Sequence, residues 1–180
     1  MGSEMCIRDR NLVVYDLASG KETPITDDGA GLISWATAEF IAQEEMDRDT
    51  GYWWSPDERY IALTRVDESP VDIVPRFEIT GGGATMVEQR YPRAGRPNAV
   101  VELYVRDLHS GARVKVDLGA NTDIYLARVN WSGDGKTLYV QRQSRDQKTL
   151  DLLSVDPATG ASRVILSQKA SALSLIHISE

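Results

Sequence analysis

Trp54-Ser55-Pro56-Asp57-Glu58-Arg59-Tyr60-Ile61-Ala62-Leu63 decides the fold, because it returns as Trp131-Ser132-Gly133-Asp134-Gly135-Lys136-Thr137-Leu138-Tyr139-Val140. Each copy ends one strand, makes a tight turn and opens an apolar strand. A second signature alternates with it. Leu12-Val13-Val14-Tyr15-Asp16-Leu17-Ala18-Ser19-Gly20 returns as Leu103-Tyr104-Val105-Arg106-Asp107-Leu108-His109-Ser110-Gly111. A looser copy is Leu152-Leu153-Ser154-Val155-Asp156-Pro157-Ala158-Thr159-Gly160. Here an apolar strand meets a turn in which Asp and Ser bond the backbone and Gly supplies positive φ. A further strand follows, such as Arg113-Val114-Lys115-Val116.

One hairpin of each kind makes a four-stranded antiparallel unit, the blade of a β-propeller. The chain is therefore expected to be all-β, a partial propeller of about two to three blades. Residues 11–26 end one blade, residues 30–118 form a complete one, and residues 124–166 form most or all of another. A β-sandwich would use similar hairpins, but the two signatures alternate in propeller order. An incomplete ring exposes sheet edges, so the chain alone is expected to be poorly stable or prone to aggregate.

The middle blade is longer than the usual ~40–45 residues. Two insertions account for the excess. Residues 37–49 are polar and rich in helix formers, so a short helix is expected there. Residues 67–98 contain Gly81-Gly82-Gly83 and Tyr91-Pro92-Arg93-Ala94-Gly95-Arg96-Pro97-Asn98. Insertions at blade ends are where binding sites form. Trp53, Trp54, Trp131 and Tyr52, at strand starts, read as packing between blades. Trp35 is open between core and site, since it flanks the helical insertion.

Composition excludes several functions. The 180 residues carry a net charge of −7, with 26% charged residues. No basic footprint for nucleic acid is present, and an acidic surface mildly favours cationic ligands. No apolar run approaches the ~20 residues of a membrane span. Cys6 is the one cysteine, so no intrachain disulfide forms. No His/Cys cluster supports a metal, and Gly81-Gly82-Gly83 lacks the Lys of a phosphate loop, so no cofactor is expected. No G-x-S-x-G nucleophile elbow occurs. His109 lies in a hairpin turn, and His177 near the end of the chain. Residues 1–10 and 174–180 fit neither repeat and resemble translated sequencing-adapter DNA. They are expected to lie outside the propeller segment, residues 11–173.

Glu44 and Glu45 stand just ahead of the aromatic strand. Adjacent carboxylates suit either a solvated helix face or a shared cation, and charge-assisted hydrogen bonds make an ammonium group a good partner. On a helix, consecutive side chains splay by about 100°. The pair must therefore sit at a helix end or a distorted turn to converge. Asp47 and Asp49 read as solvated.

Residues 38–64, AEFIAQEEMDRDTGYWWSPDERYIALT, resemble the dipeptidyl peptidase IV family of serine peptidases, within the prolyl oligopeptidase superfamily. So does YPRAGRPN at residues 91–98. With the repeats, the resemblance covers nearly all of residues 11–166 and is nearest to bacterial members. It implies an N-terminal eight-bladed propeller and a C-terminal α/β-hydrolase domain that is absent from this chain. The whole enzyme would release dipeptides from peptides with a free N-terminus, preferring Pro or Ala at the second position. Glu44 and Glu45 would bind the substrate α-ammonium group. Held at a fixed distance from the nucleophile, they would act as a ruler. The resemblance also implies a periplasmic or secreted location and allows a homodimer. The family's catalytic residues, and its further substrate-binding Arg, have no matching position here. The chain alone is thus expected to hydrolyse nothing. A non-catalytic periplasmic propeller that binds other proteins would share the blades but has no need of the Glu-Glu insertion.

Overall fold

The computed structural model describes residues 3–171. Strands β1 (Ser3–Arg8), β2 (Asn11–Asp16) and β3 (Glu22–Pro24) form a first antiparallel sheet in that order. The second sheet contains β4 (Ile33–Trp35), β5 (Tyr52–Trp54), β6 (Tyr60–Asp67), β9 (Val100–Asp107) and β10 (Arg113–Lys115). Both β4 and β5 pair with β6, Trp35 opposite Arg65 and Tyr52 opposite Leu63. They are one strand position split by the first insertion, which carries helix α1 (Phe40–Glu45). The second insertion is a separate hairpin of β7 (Ile73–Thr80) and β8 (Gly83–Arg90). Strands β11 (Ile124–Trp131), β12 (Leu138–Ser144), β13 (Thr149–Val155) and β14 (Ser162–Lys169) complete a third sheet as an antiparallel meander.

These are successive propeller blades, with both insertions where the sequence places them. Residues 3–8, which fit neither repeat, pair in register with β2, from Ser3 opposite Asp16 to Arg8 opposite Asn11. A ladder is made by backbone groups, so the stretch needs no turn signature of its own to join. Residues 174–180, with His177, lie outside the described residues.

The core lies between sheets rather than within one. Side chains alternate along a strand, and β6 uses both faces. Ile61 and Leu63 pack with Leu12, Ile25 and Trp35 against the first sheet. Ala62, with Val101, Leu103 and Val105 of β9 and Val116, packs against Leu126, Val129, Leu138, Val140 and Leu153 of the third. The middle strand therefore reads as nearly continuous apolar sequence. Polar contacts pin the same seams. Trp131 Nε1 donates to the Trp53 carbonyl at 3.0 Å, and Ser162 Oγ donates to the Asp117 carbonyl at 2.6 Å. Trp35 belongs to this core. It is 1% exposed, its ring lies 5.1 Å from that of Tyr104, and Nε1 donates to Asp28 at 2.9 Å.

Both turn signatures close by side-chain bonds. Ser55 Oγ donates to Asp57 at 2.6 Å, and the Tyr60 amide donates to Ser55 Oγ at 2.8 Å. Ser132, Asp134 and Thr137 repeat this geometry. So do Ser144, Asp146 and Thr149 at the β12–β13 turn, a third copy that lacks the leading Trp. The residue after each Asp is left-handed: Glu58 at φ 56°, Gly135 at 69° and Gln147 at 56°. In the other signature, Asp107 accepts from the amides of His109 at 2.8 Å and Ser110 at 3.1 Å.

Gly51 is fixed by space. A Cβ there would sit 2.0 Å from Thr64 Oγ1 and 2.3 Å from the Thr37 carbonyl. The Gly51→Ala substitution is expected to destabilise the chain by roughly 1–3 kcal/mol through overpacking, read as a lower urea midpoint; an unchanged midpoint would contradict the packing. The turn aspartates set an acid limit. Amides of Ser110 and His109, with the Arg59 guanidinium, hold the Asp107 carboxyl at about 2, below an unfolded value of about 3.9. The native state thus gains most when Asp107 is charged. Its contribution is complete above about pH 4 and is lost as pH falls toward 2. Urea unfolding between pH 5 and 2 is expected to show a shallower pH slope for Asp107→Asn than for the parent chain; equal slopes would refute this.

Candidate functional site

The site is built on the first insertion. Six helical residues are too few to be stable alone, so tertiary contacts must hold α1. Phe40 meets Tyr91, ring centroids 5.1 Å apart, at the root of the second insertion. Ile41 and the buried Met46 pack on Tyr125 and Ala127 of β11. The N-cap, Glu39, makes no capping bond with its side chain. Its carboxylate turns inward instead and accepts from Arg48 Nη2 at 2.6 Å, both side chains 6% exposed.

Arg48 is the residue the sequence reading overlooked. Besides Glu39, its Nε donates to the Leu126 carbonyl of β11 at 3.1 Å, and its Nη1 to the Thr50 carbonyl at 3.0 Å. Arg128, also on β11, donates to the Met46 carbonyl at 2.6 Å and to the Ala127 carbonyl at 2.9 Å. Helix α1 ends where the amides of Met46 and Arg48 both reach the Ala42 carbonyl, at 3.2 and 3.0 Å. Asp47 then turns the chain at φ 49°.

Glu44 and Glu45 are the last two residues of α1 and are exposed. Both thus stand at the helix end. Among the described residues neither enters a salt bridge. The last turn holds no basic residue. Carboxylates at a helix C-terminus add to the negative end of the peptide dipoles, where cations are favoured. The local sequence thus gives up helix stability to concentrate negative potential at one exposed point. Such a point suits a cationic ligand with several donors. Asp47 and Asp49 are also exposed and widen the acidic surface.

The other candidates have structural roles. Arg93 and Arg96 both bond the carboxylate of Asp72. Arg96 Nε reaches Asp72 at 2.6 Å and Arg93 Nη2 at 3.0 Å, and together, Arg96 foremost, they lower its pKa to about 2. This triad closes the root of the β7–β8 arm. Gly81 and Gly82 turn that hairpin. Trp53 and Trp131 pack on the core between the second and third sheets, and Tyr52 and Trp54 on the core between the first and second. A cleft between the two insertions is lined by Glu39, Phe40, Val71, Pro92 and Tyr125. It encloses about 20 Å³, room for about one water, so it is no peptide site.

Comparison with known proteins shows the family. The family model "Dipeptidyl peptidase IV (DPP IV) N-terminal region" matches residues 2–174. "Probable dipeptidyl-aminopeptidase B" of Phaeosphaeria nodorum is 28% identical over 182 residues, covering 92% of this chain and 20% of the relative. Dipeptidyl aminopeptidase B of Saccharomyces cerevisiae is 26% identical, covering 91% of this chain and 21% of the relative. The chain thus spans about a fifth of the length of the curated relatives it matches. The crystal structure of Porphyromonas gingivalis dipeptidyl peptidase 4 superposes with a TM-score of 0.86 at 22% identity, covering 95% of this chain and 25% of that one. The match over almost the whole length, on blades carrying the Glu-Glu insertion, places this chain in the dipeptidyl peptidase IV N-terminal region family.

Proposed function

We propose that this chain is the part of a serine-type dipeptidyl peptidase propeller that anchors the free amino terminus of a peptide substrate. The observation that carries the reading is the exposed Glu44-Glu45 at the C-terminus of a firmly held helix, with no salt bridge to either among the described residues. An α-ammonium group brings one positive charge and three donors. Two carboxylates answer both, each by a charge-assisted hydrogen bond. An acylated terminus would leave the two anions beside each other without a cation, which gives strong rejection.

The catalytic serine, aspartate and histidine belong to a C-terminal α/β-hydrolase domain of the same polypeptide. The propeller gates access to it. The anchor sets the distance at which the bond after the second residue, in Xaa-Pro or Xaa-Ala peptides, meets the nucleophile. The protein works in the periplasm or outside the cell. In a full-length protein carrying this segment, changing both glutamates to Ala is expected to lower kcat/KM for Xaa-Pro substrates by about 100-fold or more, since each bond to a charged group is worth roughly 1.5–3 kcal/mol. Unchanged kcat/KM would sink the assignment.

The β7–β8 arm supports a homodimer of the full protein. Ile73, Phe77 and Ile79 share one face of the ribbon with Met86, which lies opposite Phe77. Phe77 is 70% exposed, Ile79 84% and Met86 63%. The opposite face is polar, with Arg76 bound to Gln89 and Glu78. A two-stranded ribbon with one bare apolar face is marginal in water, and a second copy of the same ribbon would cover it. Phe77→Asp with Ile79→Asp is expected to halve the mass seen by light scattering; a parent protein already monomeric would refute the dimer.

A further inference from the structure

We propose that Arg48 is a positioning residue for the Glu44-Glu45 anchor, and that it places the anchor by locking α1 to the neighbouring blade. The inference rests on the reading of Glu44 and Glu45 as an amine site. It goes beyond that reading by naming what holds the site in place.

Helix α1 has six residues and no capping side-chain bond. One guanidinium supplies what the helix lacks. Its three bonds reach Glu39 at the start of the helix, Thr50 at the end of the insertion, and Leu126 on β11 of the next blade. The group lies 5.9 Å from the Trp53 ring, at the strand that resumes the blade. Arg128 completes the lock from the other side by holding the carbonyl of Met46, the residue directly after Glu45. The backbone around the anchor is therefore tied to two blades at once.

A planar fork suits this task, because its donors point in fixed and different directions; a Lys ammonium is a compact point charge on a flexible stem. The Glu39 carboxylate keeps the guanidinium charge neutralised and aimed, so the pair can be buried without an unpaired ion. Fixed placement matters for a ruler. Misplacing a bound group by about 1 Å can cost about 100-fold in rate. A register shift between the second and third blades would move Glu44 and Glu45 relative to anything held elsewhere in the ring.

The test uses a full-length protein carrying this segment. The main variant is Glu39→Met with Arg48→Met, which removes both buried charges together and leaves no lone ion; Arg48→Lys is the second. The readout is the ratio of kcat/KM for a Xaa-Pro substrate to that for its des-amino analogue. Labelling of the catalytic serine by a fluorophosphonate reports the hydrolase domain separately. The expected result is a fall in the ratio of about 10- to 100-fold in both variants, with labelling rates at the parent level. Glu44→Gln and Glu45→Gln are measured beside them. If these abolish the preference while both Arg48 variants keep the parent ratio, Arg48 has no positioning role and the amine site stands. If Glu44→Gln and Glu45→Gln leave the ratio intact, the amine-site reading fails and the positioning role falls with it. Loss of labelling in parallel with the ratio would also overturn the proposal, because the damage would then be general.

Discussion

Everything in this chain depends on one strand buried on both faces. Strand β6 sends Ile61 and Leu63 toward the first sheet and Ala62 toward the third. With sheets on both sides, neither face of the middle blade is left to water. The blades are joined by apolar area, and the seams carry the few polar contacts that fix register. Trp131 bonded to Trp53, and Ser162 bonded to Asp117, convert a non-directional attraction into one relative placement. A propeller has no common centre of packing, so its stability is the sum of such seams.

The candidate site exploits that seam. Splitting one strand position into β4 and β5 lets the chain leave the sheet after Trp35 and return at Tyr52 without losing pairing to β6. What leaves the sheet is polar and acidic, and it would have no fixed structure by itself. Two arginines from opposite sides of the seam give it one. Arg48 belongs to the insertion and reaches β11; Arg128 belongs to β11 and reaches the insertion. The outcome is an exposed pair of anions at a helix end, on a base as rigid as the blade contact below it.

Much of the fold was legible because the turn chemistry is local. Asp107 needs only the amides two and three residues on, and Ser55 only Asp57 and Tyr60. Such spacings stand in the sequence whatever the rest of the chain does. The same logic shows why the third turn escaped notice. Ser144 and Asp146 have the geometry, but no Trp precedes them, and Gln147 takes the left-handed position that Gly135 advertises. Strand β1 escaped for another reason: pairing by backbone leaves no signature in side chains.

At the site the division is sharper. The sequence by itself determined that two carboxylates lie together, that helix formers surround them, and that an aromatic strand with a Ser-Pro-Asp turn follows. These are facts of composition and short spacing. It could not show that Arg48, lying among acidic residues, is buried, because its partner carbonyl is 78 positions away on the next blade. It could not show that Arg93 and Arg96 spend their charge on Asp72, more than twenty residues earlier. Charges pair with what the fold brings near, and only the tertiary structure decides what is near. The glutamates were visible as an acidic pair. That they form no salt bridge among the described residues, while nearby arginines are engaged elsewhere, is a result of packing.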